Sequence, residues 1–298
     1  MWIRISSSRA DQPLTVRGIA AERVLDGGGC CGNSDALAWK RCHHSRVTGR
    51  AVSFGAVASA YEKYRPGYPE ELVDEVLVYT GRPVRTALEI GAGTGKATRV
   101  FAGRGIAVTA TDPDAAMLTE LRKHVPSTVD TVHGAFEELP LTSTYDLVFA
   151  AASLHWTEQA GRWSRVATLL NPDGVFASFG GQMCLADMAV EKAVHSARAE
   201  FLADDGVPSP DGTSEDSQMQ WPGTELAASS RFTDVQQSTI ERRTTMSARD
   251  YINHLSTISA YLELPASVRA IVFDRILELL PERVTLRADL TLHVARKR

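Results

Sequence analysis

The stretch ALEIGAGTGKATRV, Ala87 to Val100, sets three glycines, Gly91, Gly93 and Gly95, between an apolar run and a run with helical spacing. The run before the glycines, VRTALEIG, reads as a buried strand, and TGKATRVFAGRG after them reads as a helix stopped by Gly103 and Gly105. Glycines at such a strand-to-helix turn let the backbone pass close to a bound cofactor. The surrounding chain decides which cofactor that is.

Outward from the turn, strands and helices alternate. PEELVDEVLVYT (69–80) places Leu72, Val73, Val76 and Leu77 on one helical face, with Pro69 suited to the first turn. IAVTATD is a second strand, PDAAMLTELRKHV a second helix opened by Pro113, and STVDTVHG a third strand. YDLVFAAAS is a strongly apolar fourth strand. EQAGRWSRVATLLNPDG reads as a helix closed by Asn171 to Gly174, and VFASFGG as a fifth strand. This alternation predicts right-handed crossovers and a doubly wound, mostly parallel α/β sheet. Beyond it, 183–203 reads as helical and 204–223 as an acidic Pro/Gly/Ser-rich loop. FTDVQQSTIERRT fits a strand, SARDYINHLSTISAYLEL opens on a capping-box-like Ser-x-x-Asp, PASVRAIVFDRILELL is an amphipathic helix, and ADLTLHVARK alternates like a final strand. The organisation expected is an extension at 1–50, a cofactor-binding core at 51–182, and helical cap insertions with the last strands of the sheet at 183–298.

Composition narrows the class. The 298 residues are 44% apolar and 23% charged, with a net charge of −4 that offers no general attraction for nucleic acid. No apolar run approaches the ~20 residues needed to span a bilayer, so a cytoplasmic protein is expected. Cys30, Cys31 and Cys42 lie near His43 and His44, but their spacing does not suit tetrahedral zinc, and no metal is expected. Residues 1–50 carry eight basic against four acidic side chains and little hydrophobic periodicity, which predicts a disordered extension. Arginine outnumbers lysine 26 to 6, as in a GC-rich bacterial genome, and Val47 is a candidate for the true start of translation.

The nicotinamide and flavin fingerprint, G-x-G-x-x-G, would need a third glycine where Lys96 stands, and no G-x4-G-K-[ST] occurs. The pattern present is Glu89-Ile-Gly-Ala-Gly-Thr-Gly95. Asp112 ends the second strand, 21 residues after Gly91, where a carboxylate can accept ribose hydroxyls. Taken alone, Asp112 before Pro113 equally suits a helix cap.

E-x-G-x-G-x-G at the end of the first strand, followed by Asp112, HGAFEELP (133–140) and YDLVFAAASLHW, resembles class I S-adenosylmethionine-dependent methyltransferases. FGAVASAYEKYRPGYP, SLHW and TISAYLELP narrow the resemblance to the type-11 small-molecule group that includes trans-aconitate methyltransferase. It covers about residues 54–298, and it implies a seven-stranded Rossmann-like sheet with a helical cap.

The resemblance implies that S-adenosylmethionine is held by Glu89, Gly91, Ala92, Gly93 and Gly95 at its methionine end. Asp112 would take the ribose, with Met117, Ala135 and Phe136 near the adenine and Ala151 at the fourth strand. Tyr61 and Tyr64 would close over the cofactor. Met117 reads equally as core, and the tyrosines as packing residues.

The implied reaction transfers the methyl to a small molecule, with a carboxylate or a hydroxyl or phenol oxygen favoured. No [DNS]-P-P-[YFW] follows the fourth strand, which disfavours amino groups of nucleic-acid bases. His155 is the candidate base or pocket wall, and Trp156, His254 and Tyr261 are candidates to face the acceptor. Two other readings are a non-catalytic cofactor-binding regulator and an NAD(P)-dependent oxidoreductase, which Lys96 argues against. Acceptor identity and oligomeric state are not written in these patterns.

Overall fold

A computed structural model describes residues 54–202, 209–214 and 216–298. The extension, its cysteines and the proposed start at Val47 lie outside the described residues. The chain enters with α1 (Ala58–Tyr64) and α2 (Glu70–Thr80), then β1 (Thr86–Ile90), α3 (Thr98–Gly103), β2 (Ala107–Asp112) and α4 (Ala115–Leu121). There follow β3 (Asp130–His133), β4 (Tyr145–Ala151), α5 (Arg162–Leu169) and β5 (Leu170–Gly180). The second half runs β6 (Cys184–Leu185), α6 (Met188–Arg198), α7 (Gly223–Ala228), β7 (Phe232–Ile240) and β8 (Arg243–Ser247). It closes with α8 (Ala248–Leu255), α9 (Ser259–Leu262), α10 (Ala266–Leu279), β9 (Arg283–Arg287) and β10 (Leu290–Lys297).

Seven strands form one sheet in the order β3-β2-β1-β4-β5-β10-β7. The first five are parallel, and β10 runs antiparallel between β5 and β7. Alternation along the central strands explains why both faces are covered. Ala87, Leu147, Phe149, Ala177 and Phe179 face one core, while Leu88, Ile90, Val148, Ala150 and Phe176 face the other. The rings of Phe101 and Phe149 stack at 4.3 Å in the first core, where burial of each such side chain stabilises by roughly 1.5–3 kcal/mol. Because β1 leads to β2 on one side and is flanked by β4 on the other, the sheet switches direction at β1/β4. Ligands of this architecture bind at the carboxyl ends of the strands at that point.

Residues after β5 build a cap with its own core around Tyr251, Tyr261, Val272 and Leu286. It contains an antiparallel sheet, β6-β9-β8, as well as helices. RVTLR (β9) did not stand out as a strand, because its polar/apolar alternation runs for only five residues directly after a helix. Two helices are shorter than their patterns predict. Leu170 is already extended and pairs with Tyr145, so α5 ends at Leu169 and Asn171 to Gly174 bulge out of β5, with Asp173 at φ 58°. The second α/β helix starts only at Ala115, because the Asp114 carboxylate caps it by accepting from the N–H groups of Ala116 and Met117.

Candidate active site

The turn after β1 is held by short contacts that only glycine permits. Gly91, Gly93 and Gly95 have φ of 66°, 55° and 82°, a region costly for residues with a Cβ. A Cβ on Gly91 would lie 2.6 Å from Cβ of Ser153, and one on Gly95 2.8 Å from Cγ of Leu121. The Ser153 hydroxyl donates to the carbonyl of Ile90, locking the β4 exit onto the β1 turn. Ala92 N–H donates to the Thr111 carbonyl at 2.8 Å, tying the loop to β2.

Two carboxylates are buried beside this loop. Glu89 is 1% exposed; its Oε2 accepts from the Thr98 hydroxyl, and its Oε1 has no partner among the described residues. Burial raises the Glu89 carboxyl to about 8, against the lowering effect of Thr98, with the Asp112 charge adding to the rise. Asp112 accepts from Gly93 N–H and Asp114 N–H, both at 2.8 Å. Burial raises it to about 6 in spite of these two bonds.

A cavity of about 90 Å³ opens at this end of the sheet. Its floor is Glu89, Gly91, Ala92, Gly93 and Thr94, with Ala151 and Ala152 from the β4 exit. Tyr61 and Tyr68 come from the amino-terminal segment, and Met183, Arg242 and Ala288 from the cap side. Helix α1 is tied over the loop: Lys96 Nζ donates to the Glu62 carbonyl at 2.6 Å, and Arg99 donates to both Glu62 carboxylate oxygens. The residue that breaks the dinucleotide fingerprint is thus the one that clamps the lid helix.

The remaining expected residues fall around this cavity unevenly. Met117 is buried under Gly93, its Cε 3.6 Å from where a Cβ would stand. Ala135 and Phe136 follow β3, with Phe136 buried in the second core and its carbonyl accepting from Arg165 at 2.7 Å. Phe54 packs edge-on against both Tyr61 and Trp156, at 6.1 and 6.2 Å. His155 and Trp156 sit in contact on the β4 exit turn and do not line the cavity. Tyr64 lies outside it too, its carbonyl facing the His254 ring at 3.4 Å. His254 is 1% exposed beneath that contact, and burial holds it down at about 3. Tyr261 is fully buried in the cap core, its hydroxyl accepting from Arg198 at 3.0 Å. Neither His254 nor Tyr261 faces the cavity: the helix pattern around them marks a buried face without saying what it packs on.

Arg65, Tyr68 and Arg242 line the cavity without having been singled out from the sequence. Arg65 follows α1 in the motif-bearing segment, so its position was readable; Arg242 sits between β7 and β8 in a segment that reads as one strand.

Residues 88–178 match the family model described as a methyltransferase domain. The uncharacterized methyltransferase Rv3342 of Mycobacterium tuberculosis is 32% identical over 233 residues, covering 77% of this chain and 86% of that protein. The chain belongs to the methyltransferase family. This methyltransferase is also 30% identical over 124 residues to the probable S-adenosylmethionine-dependent methyltransferase CRG1 of Saccharomyces cerevisiae, covering 39% and 43% of the two chains. A putative type II methyltransferase from Anaeromyxobacter dehalogenans shares the fold, with a TM-score of 0.51 at 22% identity over 78% of this chain and 97% of that one. The methyltransferase uses S-adenosylmethionine, which supplies a methyl group already activated on a sulfonium. The residues present fit that cofactor. Glu89 Oε1 is an orphaned buried acceptor suited to an ammonium, and Asp112 retains acceptor capacity for ribose hydroxyls. No helix among the described residues is long and apolar enough to cross a membrane.

Proposed function

We propose that this methyltransferase acts on a small molecule and transfers the methyl to an oxygen, with a carboxylate acceptor favoured over a hydroxyl or phenol. The observation that carries this reading is the cavity itself. It is walled by the glycine loop, the amino-terminal segment and the cap, a set of three walls that suits an enclosed small molecule better than a polymer chain. The resemblance of the YEKYRPGYP and SLHW segments to the trans-aconitate methyltransferase group supports the same class.

In this reading the protein's task is alignment and exclusion of water. Glu89 and the glycine N–H groups orient the donor, Asp112 holds its ribose, and Tyr61 with the cap closes the acceptor side. S-adenosylmethionine held there would supply a methyl on a sulfonium, with the thioether as leaving group for an oxygen lone pair of the acceptor. A carboxylate loses no proton in this step, whereas a hydroxyl must give one up. His155 is the candidate base read from the sequence, yet it stands off the cavity lining, and burial and the Arg162 charge hold it down at about 4, which makes it a weak one. That contrast favours the carboxylate.

The test is a transfer assay with methyl-labelled S-adenosylmethionine over small carboxylic acids and phenols, with Asp112→Ala as control. Turnover of small acids that Asp112→Ala abolishes is expected. Tight cofactor binding with labelling of macromolecules alone would overturn the reading, and no turnover of any acceptor would favour the regulator.

A further inference from the structure

The antiparallel cap sheet β6-β9-β8 buries one face and leaves the other bare. Val284 and Leu286 belong to the cap core, so Arg283, Thr285 and Arg287 stand on the outer face, and all three are exposed. The register sets Arg287 opposite Arg243, Thr285 opposite Thr245 and Arg283 opposite Ser247. Cys184 of β6 completes the row of Arg287 on its other side. None of the residues these strands place on the outer face is acidic, in a chain whose net charge is −4.

Sheets avoid such an arrangement. Like charges directly opposite each other destabilise a strand pair, and Arg243 and Arg287 are so placed. Arg243 is relieved by Asp289, whose Oδ1 accepts from its Nη1 at 2.9 Å. Arg283 and Arg287 belong to no ion pair among the described residues. Asp250, at the other end of the face, accepts instead from the Ser247 hydroxyl at 2.8 Å. Between the two arginine rows the hydroxyls of Thr245 and Thr285 meet at 3.1 Å. Each hydroxyl carries one proton, and their mutual bond uses one of the two, so this row also keeps a donor.

The spacing of the rows selects the occupant. Alternate residues on a strand stand roughly 6.6–6.8 Å apart, so Arg287, Thr285 and Arg283 offer donors at that repeat over roughly 13 Å. An extended peptide repeats at the same interval, and Asp or Glu at every second position meets each row. The face has no aromatic ring on which a base could stack, and no large apolar side chain to enter a bilayer interface. We propose that this face docks an acidic, extended segment of a partner protein. Ala288, next to Arg287, and Arg242, next to Arg243, both stand on the cavity wall, so one end of the docked segment lies beside the cap side of the cavity. The surface itself is outside the cavity, and the inference goes beyond the choice of acceptor without resting on it.

The full-length protein is titrated into fluorescein-labelled Glu-Ser-Glu-Ser-Glu and followed by anisotropy in 50 mM salt. Binding is expected, and 250 mM salt should weaken it because exposed charges are screened. Arg283→Gln and Arg287→Gln should each weaken it about 3-fold and the double variant about 10-fold, as suits exposed ion pairs. Arg275→Gln, at an exposed pair with Glu200 elsewhere in the cap, is the control and should change nothing. Arg287→Gln also relieves the opposed charge, so it should melt at least as high as wild type. A lower melting point would show that contacts within the chain hold the row, and would overturn the proposal. Absence of binding, equal binding by the double variant, or equal binding of Lys-Ser-Lys-Ser-Lys would overturn it too. Tighter, arginine-dependent binding of a thymidine pentanucleotide or of phosphatidylserine vesicles would assign the face to nucleic acid or to a membrane instead. None of these results touches methyl transfer.

Discussion

Glu89 Oε2 accepts the Thr98 hydroxyl proton while Oε1, on the same carboxyl, is buried without a partner. The half-satisfied group explains why its carboxyl is raised to about 8 and why it suits a cationic ligand.

This arrangement makes the ligand-free protein less stable at alkaline pH. The folded value lies above the ordinary 4.5, so the folded state holds the proton more tightly than the unfolded chain. The contribution is fully present below about 4.5 and is lost as pH rises through about 8. Thermal unfolding should therefore shift down by roughly 5–10 °C between pH 6 and pH 8.5. Glu89→Gln, neutral at every pH, should flatten most of that slope and melt higher than wild type at pH 8.5. An unchanged slope in the variant would place the titration elsewhere.

Gly91→Ala should destabilise by roughly 2–4 kcal/mol through positive φ and the overlap with Ser153. Adding Ser153→Gly removes the overlap and should recover part of the loss, with the backbone share remaining. A double variant no more stable than Gly91→Ala would show that the contact is not the cause.

Tyr261→Phe separates packing from acceptor contact. Losing its bond to Arg198 inside the cap should cost about 1–3 kcal/mol, while kcat and KM stay within 3-fold. A rise in KM without loss of stability would put the hydroxyl on the acceptor instead.

His155→Gln should change kcat/KM by less than about 10-fold, whereas a general base typically contributes 10²–10⁴. Because the ring is held down at about 4, it stays neutral through pH 5.5–8. The pH profile over that range should keep its shape in the variant. Loss of an inflection near pH 6.5 would restore the base.

The candidate cofactor loop was legible because its residues are local in the chain. Glu89, the three glycines and Asp112 lie within one strand-turn-helix-strand unit, where spacing translates directly into place. The acceptor half was not. Arg242, between β7 and β8, reaches the Gly67 carbonyl of the amino-terminal segment, a long-range relation that no periodicity encodes. His254 and Tyr261 show the converse error. A helix face announces that it is buried, but whether it meets a ligand or another helix depends on tertiary packing, and here the cap core takes both. Asn171 to Gly174 resembled a helix stop because the same turn residues serve a strand bulge.

The central claim is that Glu89 Oε1 receives the cofactor's ammonium. The most direct test is calorimetry of S-adenosylhomocysteine binding at pH 7 in buffers of different ionisation heat. A Glu89 carboxyl raised to about 8 is mostly protonated there and must lose its proton to pair. Wild type should release close to one proton on binding, and Glu89→Gln should release almost none and bind at least 10-fold more weakly. Tight binding with equal proton release in both proteins would contradict the claim.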